Sequence, residues 1–143
     1  MPLIGGGGAP NVSGGANPAG VGSSINYIGE HAYAFSGGFS ASTSSQTMLD
    51  FSTGTSYIVG TITCNGGTEI STAGNGNVSS WNLTFDDQSV AVLLTETETE
   101  DMPATNEIKI LIPPFTKVQL KMLSSADDAN SLHTAIITGR VYN

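Results

Sequence analysis

Between Trp81 and Phe85 the chain reads WNLTF, and between Thr116 and Leu123 it reads TKVQLKML. In both stretches the large apolar side chains fall on every second residue: Trp81, Leu83 and Phe85 in one, Val118, Leu120 and Met122 in the other. A period of two sends alternate side chains to opposite sides of an extended backbone, so each stretch reads as a half-buried β-strand. No stretch shows the 3.6-residue period of an amphipathic helix. A chain built from such segments must bury its apolar faces sheet against sheet.

The same reading extends along the chain. Strands are expected at Tyr27–Phe35, Gln46–Phe51, Ser56–Cys64, Trp81–Phe85, Ser89–Thr95, Glu107–Ile112, Thr116–Leu123 and Leu132–Tyr142. In the third, Tyr57, Val59, Thr61 and Thr63 share one face, Ile58, Ile62 and Cys64 share the other, and Gly60 marks a candidate bulge. Turn residues punctuate the pattern: Ser-Thr-Gly-Thr before Ser56, Asp86-Asp87, Pro113-Pro114 and the polar Ser124–Asn130. Asn65–Ser80 is a Gly/Asn-rich excursion whose Asn-Gly pairs suit positive φ. The fold class is all-β: an antiparallel β-sandwich, jelly-roll-like, with about eight strands and an extended N-terminal arm.

That arm is residues 1–24, ahead of a β-sandwich domain at 25–143. It holds eight Gly, three Pro and no charged residue. Such a segment buries too little apolar surface to offset its own ordering entropy, so it orders on a partner. Extended, it reaches roughly 80 Å at about 3.3 Å per residue. Its opening MPLIGGGG lacks the basic and apolar regions of a signal peptide. Nor does GGGG at Gly5–Gly8 follow a strand and open a helix, as a phosphate loop must.

Charge narrows the function classes. Only 11% of residues are charged, and the net charge is −8. The four basic residues, Lys109, Lys117, Lys121 and Arg140, are too few to neutralise a nucleic-acid backbone or to seek an anionic membrane. Neither is expected as a partner. The single cysteine, Cys64, ends an apolar run and reads as a small buried hydrophobe. The acidic run Glu96–Asp101 (ETETED) reads as a solvated, charge-protected edge before it reads as a calcium site. His31 and His133 stand on separate strands, and no GxSxG-type elbow offers either a nucleophile. No enzyme activity, metal or cofactor is expected. The aromatics Tyr27, Tyr33, Phe35, Phe39, Tyr57, Trp81 and Phe115 offer sugar-stacking faces, but alternation around Trp81 points to core packing first.

Two ends of the chain carry a resemblance. MPLIGGGGAPN, with the C-terminal IPPFTKVQLKML and TAIITGRVY, resembles tailed-bacteriophage head decoration (cement) proteins, small β-sandwich structural proteins of the virion. The resemblance implies a capsid-surface location, the major capsid protein lattice as partner, homotrimers, and an arm that clamps neighbouring capsid subunits. It implies no catalytic residues. Leu3, Ile4 and Val12 are the arm's candidate anchors, being the sizeable apolar groups near its start. The alternatives are a phage fibre, spike or head-appendage protein, a carbohydrate-binding β-sandwich module, and, last, a hydrolase.

Overall fold

The structure is a computed structural model and describes residues 25–69, 78–96 and 104–143. Ten strands run through them: β1 (Asn26–Ile28), β2 (His31–Phe35), β3 (Phe39–Ala41), β4 (Gln46–Ser52), β5 (Tyr57–Glu69), β6 (Val78–Phe85), β7 (Gln88–Glu96), β8 (Ala104–Ile112), β9 (Lys117–Ser124) and β10 (Asp128–Tyr142). One sheet has the order β1-β2-β10-β5-β8, with β3 also against β10; the other is β4-β9-β6-β7. Every pairing is antiparallel.

The longer strands pair in a nested series. β6 pairs with β7 innermost, then β5 with β8, β4 with β9, and β2 with β10. This is one long hairpin rolled so that its pairs fall alternately into two sheets, which is jelly-roll winding. The expected β-sandwich is therefore present, with two strands more than expected. Tyr27–Phe35 is a hairpin, broken where Gly29 adopts φ 59°. β3 lies in the Ser/Gly/Thr-rich stretch between two expected strands, where no strand was expected.

The facing sides of the sheets form the core. Trp81 and Leu83 from β6, and Val118, Leu120 and Met122 from β9, meet Ile58, Ile62 and Cys64 from β5, Ile112 from β8 and Ile137 from β10. On β4 the register slips between Thr47 and Leu49. That bulge lets the consecutive Met48 and Leu49 both turn inward, against strict alternation.

Gly60 is no bulge, because its pairing with both neighbours is continuous. It stands opposite Gly139, which stands opposite Ala32. The row Ala32–Gly139–Gly60 thus presents almost no side chain to the core. The backbones of β5 and β10 close up there: a Cβ on Gly60 would lie 2.4 Å from the Thr138 carbonyl oxygen and 2.8 Å from the Gly139 Cα.

Each sheet edge is blunted. β1 is three residues long, β4 is bulged, and β8 turns Glu107 and Lys109 outward. On β7 Val90 is an extra residue in the register with β6, and the Leu94 carbonyl accepts a hydrogen bond from Asn106 Nδ2 at 3.1 Å. Unpaired edges invite other strands.

Candidate functional site

The nearest approach to a reactive constellation lies inside the core. On β10 His133 points inward with Ala135 and Ile137. Opposite it Gly66 and Gly67 form a bulge on β5, where the register slips between Leu132 and Thr134. Ser79 Oγ stands 2.8 Å from His133 Nε2 and 3.2 Å from Ser124 Oγ. The Trp81 ring leans on the imidazole at a centroid distance of 5.9 Å, and its Nε1 donates to Thr95 Oγ1 at 3.0 Å. Gly66 makes the space: a Cβ there would lie 2.4 Å from Thr95 Oγ1.

A serine within hydrogen-bond reach of a histidine has the geometry of a nucleophile and its base. Here both are sealed away from solvent and from any substrate, Ser79 at 0% and His133 at 1% exposure. The cluster holds the sandwich's end together. His133 Nδ1 has no hydrogen bond of good geometry. The Ser131 backbone, close by, favours the charged ring but is outweighed by burial, which pushes the His133 pKa below its ordinary 6.5.

The imidazole is neutral in the fold and takes up a proton more readily when unfolded. Its contribution is complete above about pH 6.5 and is lost as pH falls below that towards the folded-state value. The melting temperature should drop between pH 7 and 5, and a His133→Gln variant should show a shallower drop. Equal slopes for the two proteins would remove His133 as the cause.

Cys64 is fully buried, and burial pushes its thiol up to about 12, so it is inert as a nucleophile. His31 is on the outer side of β2, opposite Arg140, remote from the side of the sheet that carries His133. Asp86 and Asp87 form a turn with φ 47° and 66°; Asp86 accepts from the Lys117 backbone N–H at 2.9 Å. Asp127 accepts from the Thr43 backbone N–H at 2.7 Å, and that bond holds its carboxyl below the usual range. Among the described residues no group of three His, Cys, Asp or Glu is placed to hold a metal. Leu3, Ile4 and Val12, the GGGG run and all of ETETED beyond Glu96 lie outside the described residues.

Of the aromatics, Trp81 is wholly buried, as its alternation indicated, and Tyr27 and Phe39 pack against the core. Tyr33, Phe35 and Tyr57 face outward from the β10 sheet, where Tyr142 joins them. Tyr57 and Tyr142 stack at 5.4 Å, and Tyr33 and Phe35 meet at 5.3 Å. Between these pairs runs an open groove of about 480 Å³, lined by His31, Tyr33, Val59, Thr61 and Thr138 over Gly60, Gly139 and Ala32.

The β9 sheet offers a different outer surface. Leu94, Ser80 and Leu123 stand in one row across β7, β6 and β9, with Val92 and Val78 beside them. Val92 is 63% and Leu94 59% exposed; Val78 and Leu123 are exposed as well. Four apolar side chains thus surround one serine, rimmed by Lys121, Asn82 and Glu96. SVAVLLT reads from sequence as a strand. The sign of an outward apolar face was its lack of any charge in an acidic chain, combined with apolar residues at both parities.

No protein-family model matches the chain, no curated protein matches it in sequence, and no solved structure matches its fold.

Proposed function

We propose that the protein is a structural protein of a tailed-phage virion, a decoration protein that cements the outer surface of the assembled head. The observation that carries this reading is the apolar patch of Val78, Val92, Leu94 and Leu123 on an otherwise acidic jelly roll with blunted edges. Exposed apolar clusters rimmed by polar groups mark protein-contact faces. Jelly-roll winding is in keeping with this role as an analogy of fold. In this reading the patch seats the body on the major capsid protein lattice, and the arm, through Leu3, Ile4 and Val12, grips neighbouring subunits. Copies associate as the trimers expected from the resemblance. A ligand that binds only the assembled shell stabilises it by mass action, and the arm's contacts add through effective concentration. A net charge of −8 suits a position outside the packaged genome.

The test is cosedimentation of the full chain with purified heads that lack it. Wild type should pellet with the heads. Leu94→Asp should weaken binding by about tenfold or more, the effect of placing a charge in a desolvated contact, with an unchanged melting temperature because Leu94 is exposed. A triple aspartate variant at Leu3, Ile4 and Val12 should do the same. Wild type left in the supernatant would overturn the reading.

A further inference from the structure

The groove on the outer face of the β10 sheet is a built feature. Glycine in the middle of a strand weakens it, and here two occur at paired positions. With Ala32 they leave the inner side of that row nearly bare, and β5 and β10 approach each other closely there. On the outer side a groove crosses this row, with Tyr33, Thr138 and Thr61 along one side and His31 and Val59 along the other. At its rim Arg140 Nη2 donates to Glu30 Oε2 at 2.6 Å, while its guanidinium lies 5.8 Å from the centre of the Tyr142 ring. The backbone N–H of Val141 donates to the Glu30 carbonyl at 2.8 Å, which anchors the turn carrying Glu30.

The lining selects the ligand. Arg140 is neutralised by Glu30, and Lys109 stands beside Glu107 on the next strand, so the face has no surplus charge to hold a phosphate or a carboxylate. Its polar groups are hydroxyls, an imidazole and an ion pair held in place, all able to bond a ligand's hydroxyl groups. Its apolar groups are Ala32, Val59 and the ring of Tyr33, whose negative quadrupole attracts weakly positive C–H groups. A volume of about 480 Å³ falls among small-molecule sites. A neutral molecule with many hydroxyls and apolar C–H faces satisfies all three conditions. We propose that this groove binds a neutral saccharide, with Tyr33 as a stacking face, Thr61, Thr138 and His31 as hydroxyl partners, and the Arg140–Glu30 pair as the rim contact. It is independent of head binding, which the β9 sheet and the arm would mediate.

The experiment is an amide chemical-shift titration of the full chain with neutral di- and trisaccharides of glucose, galactose and N-acetylglucosamine. A glycan array would choose the strongest. Saturable shifts confined to β2, β5 and β10 are expected. Thr138→Val removes one exposed hydroxyl at nearly constant volume and should weaken binding about tenfold, as losing one hydrogen bond does. Tyr33→Ala should abolish it, with the unshifted spectrum of the β9 sheet showing that the fold is kept. No saturable shift with any of the sugars overturns the proposal. So does saturation that maps to the β9 sheet, or that Thr138→Val and Tyr33→Ala both leave unchanged. Head cosedimentation is a separate readout, so failure of one reading leaves the other standing.

Discussion

Trp81→Ala should destabilise the protein by about 3–5 kcal/mol, the range for deleting a large buried aromatic. Trp81 has 0% exposure and is the largest of the fully buried side chains. It sits on β6 between β7 and β9 and faces His133 of β10 across the sandwich. Two further losses add to the cavity. Thr95 Oγ1 loses the Nε1–H donor that satisfies it, and His133 loses the ring it rests on. Since domains are stable by only about 5–15 kcal/mol, the variant should be partly unfolded near physiological temperature. Urea denaturation followed by circular dichroism measures this. Trp81→Phe separates the contributions: it keeps most of the volume but leaves Thr95 unpaired, and should cost about 1–3 kcal/mol. A loss below 1 kcal/mol for the alanine variant would mean that the two sheets repack freely around the site.

How far the sequence foretold this arrangement depends on which contacts are local. Alternation is local, and it correctly placed Trp81, Leu83, Val118, Leu120 and Met122 in the core and assigned both faces of β5. The β1–β2 turn escaped because aromatics continue on both sides of Gly29, so YIGEHAYAF looks like one strand. β3 escaped because Ser and Gly carry no apolar signal. The jelly-roll pairing, and with it the groove on the outer face of the β10 sheet, is non-local. Gly60 is visible as an oddity in an apolar strand, but only the fold brings Gly139 opposite it, and only that pairing turns an expected bulge into a close approach. The β9-sheet patch has the same origin. Val92 and Leu94 were legible as strand residues, while Leu123 and Val78 join them only through the register. His133 was legible only as a strand residue, and nothing local showed that Ser79 and Ser124 would meet it.

Gly60→Ala is the sharpest test of that pairing. Elsewhere in a strand, alanine for glycine is neutral or favourable, because it restricts the unfolded chain and Gly60 has no positive φ to relieve. Here the new methyl would sit 2.4 Å from the Thr138 carbonyl oxygen and 2.8 Å from the Gly139 Cα. Both are backbone atoms held in the β5–β10 ladder, and neither can swing aside as a side-chain tip would. Relief requires the two central strands of the sheet to separate, at the cost of hydrogen bonds on both sides of the row. Overpacking a core typically costs about 1–3 kcal/mol, and a clash with backbone belongs at the upper end. A loss of about 3 kcal/mol corresponds to a fall of roughly 10 °C in melting temperature for a domain of this size. Fluorescence of Trp81, the sole tryptophan, would follow the unfolding. Gly139→Ala should behave alike, since its Cβ would meet the Val59 carbonyl oxygen and the Ile58 Cγ2 at 2.8 Å. In the double variant the losses should fall short of additive, because the first substitution already parts the strands that the second would part. A stabilised Gly60→Ala would show that β5 and β10 do not close up at this row.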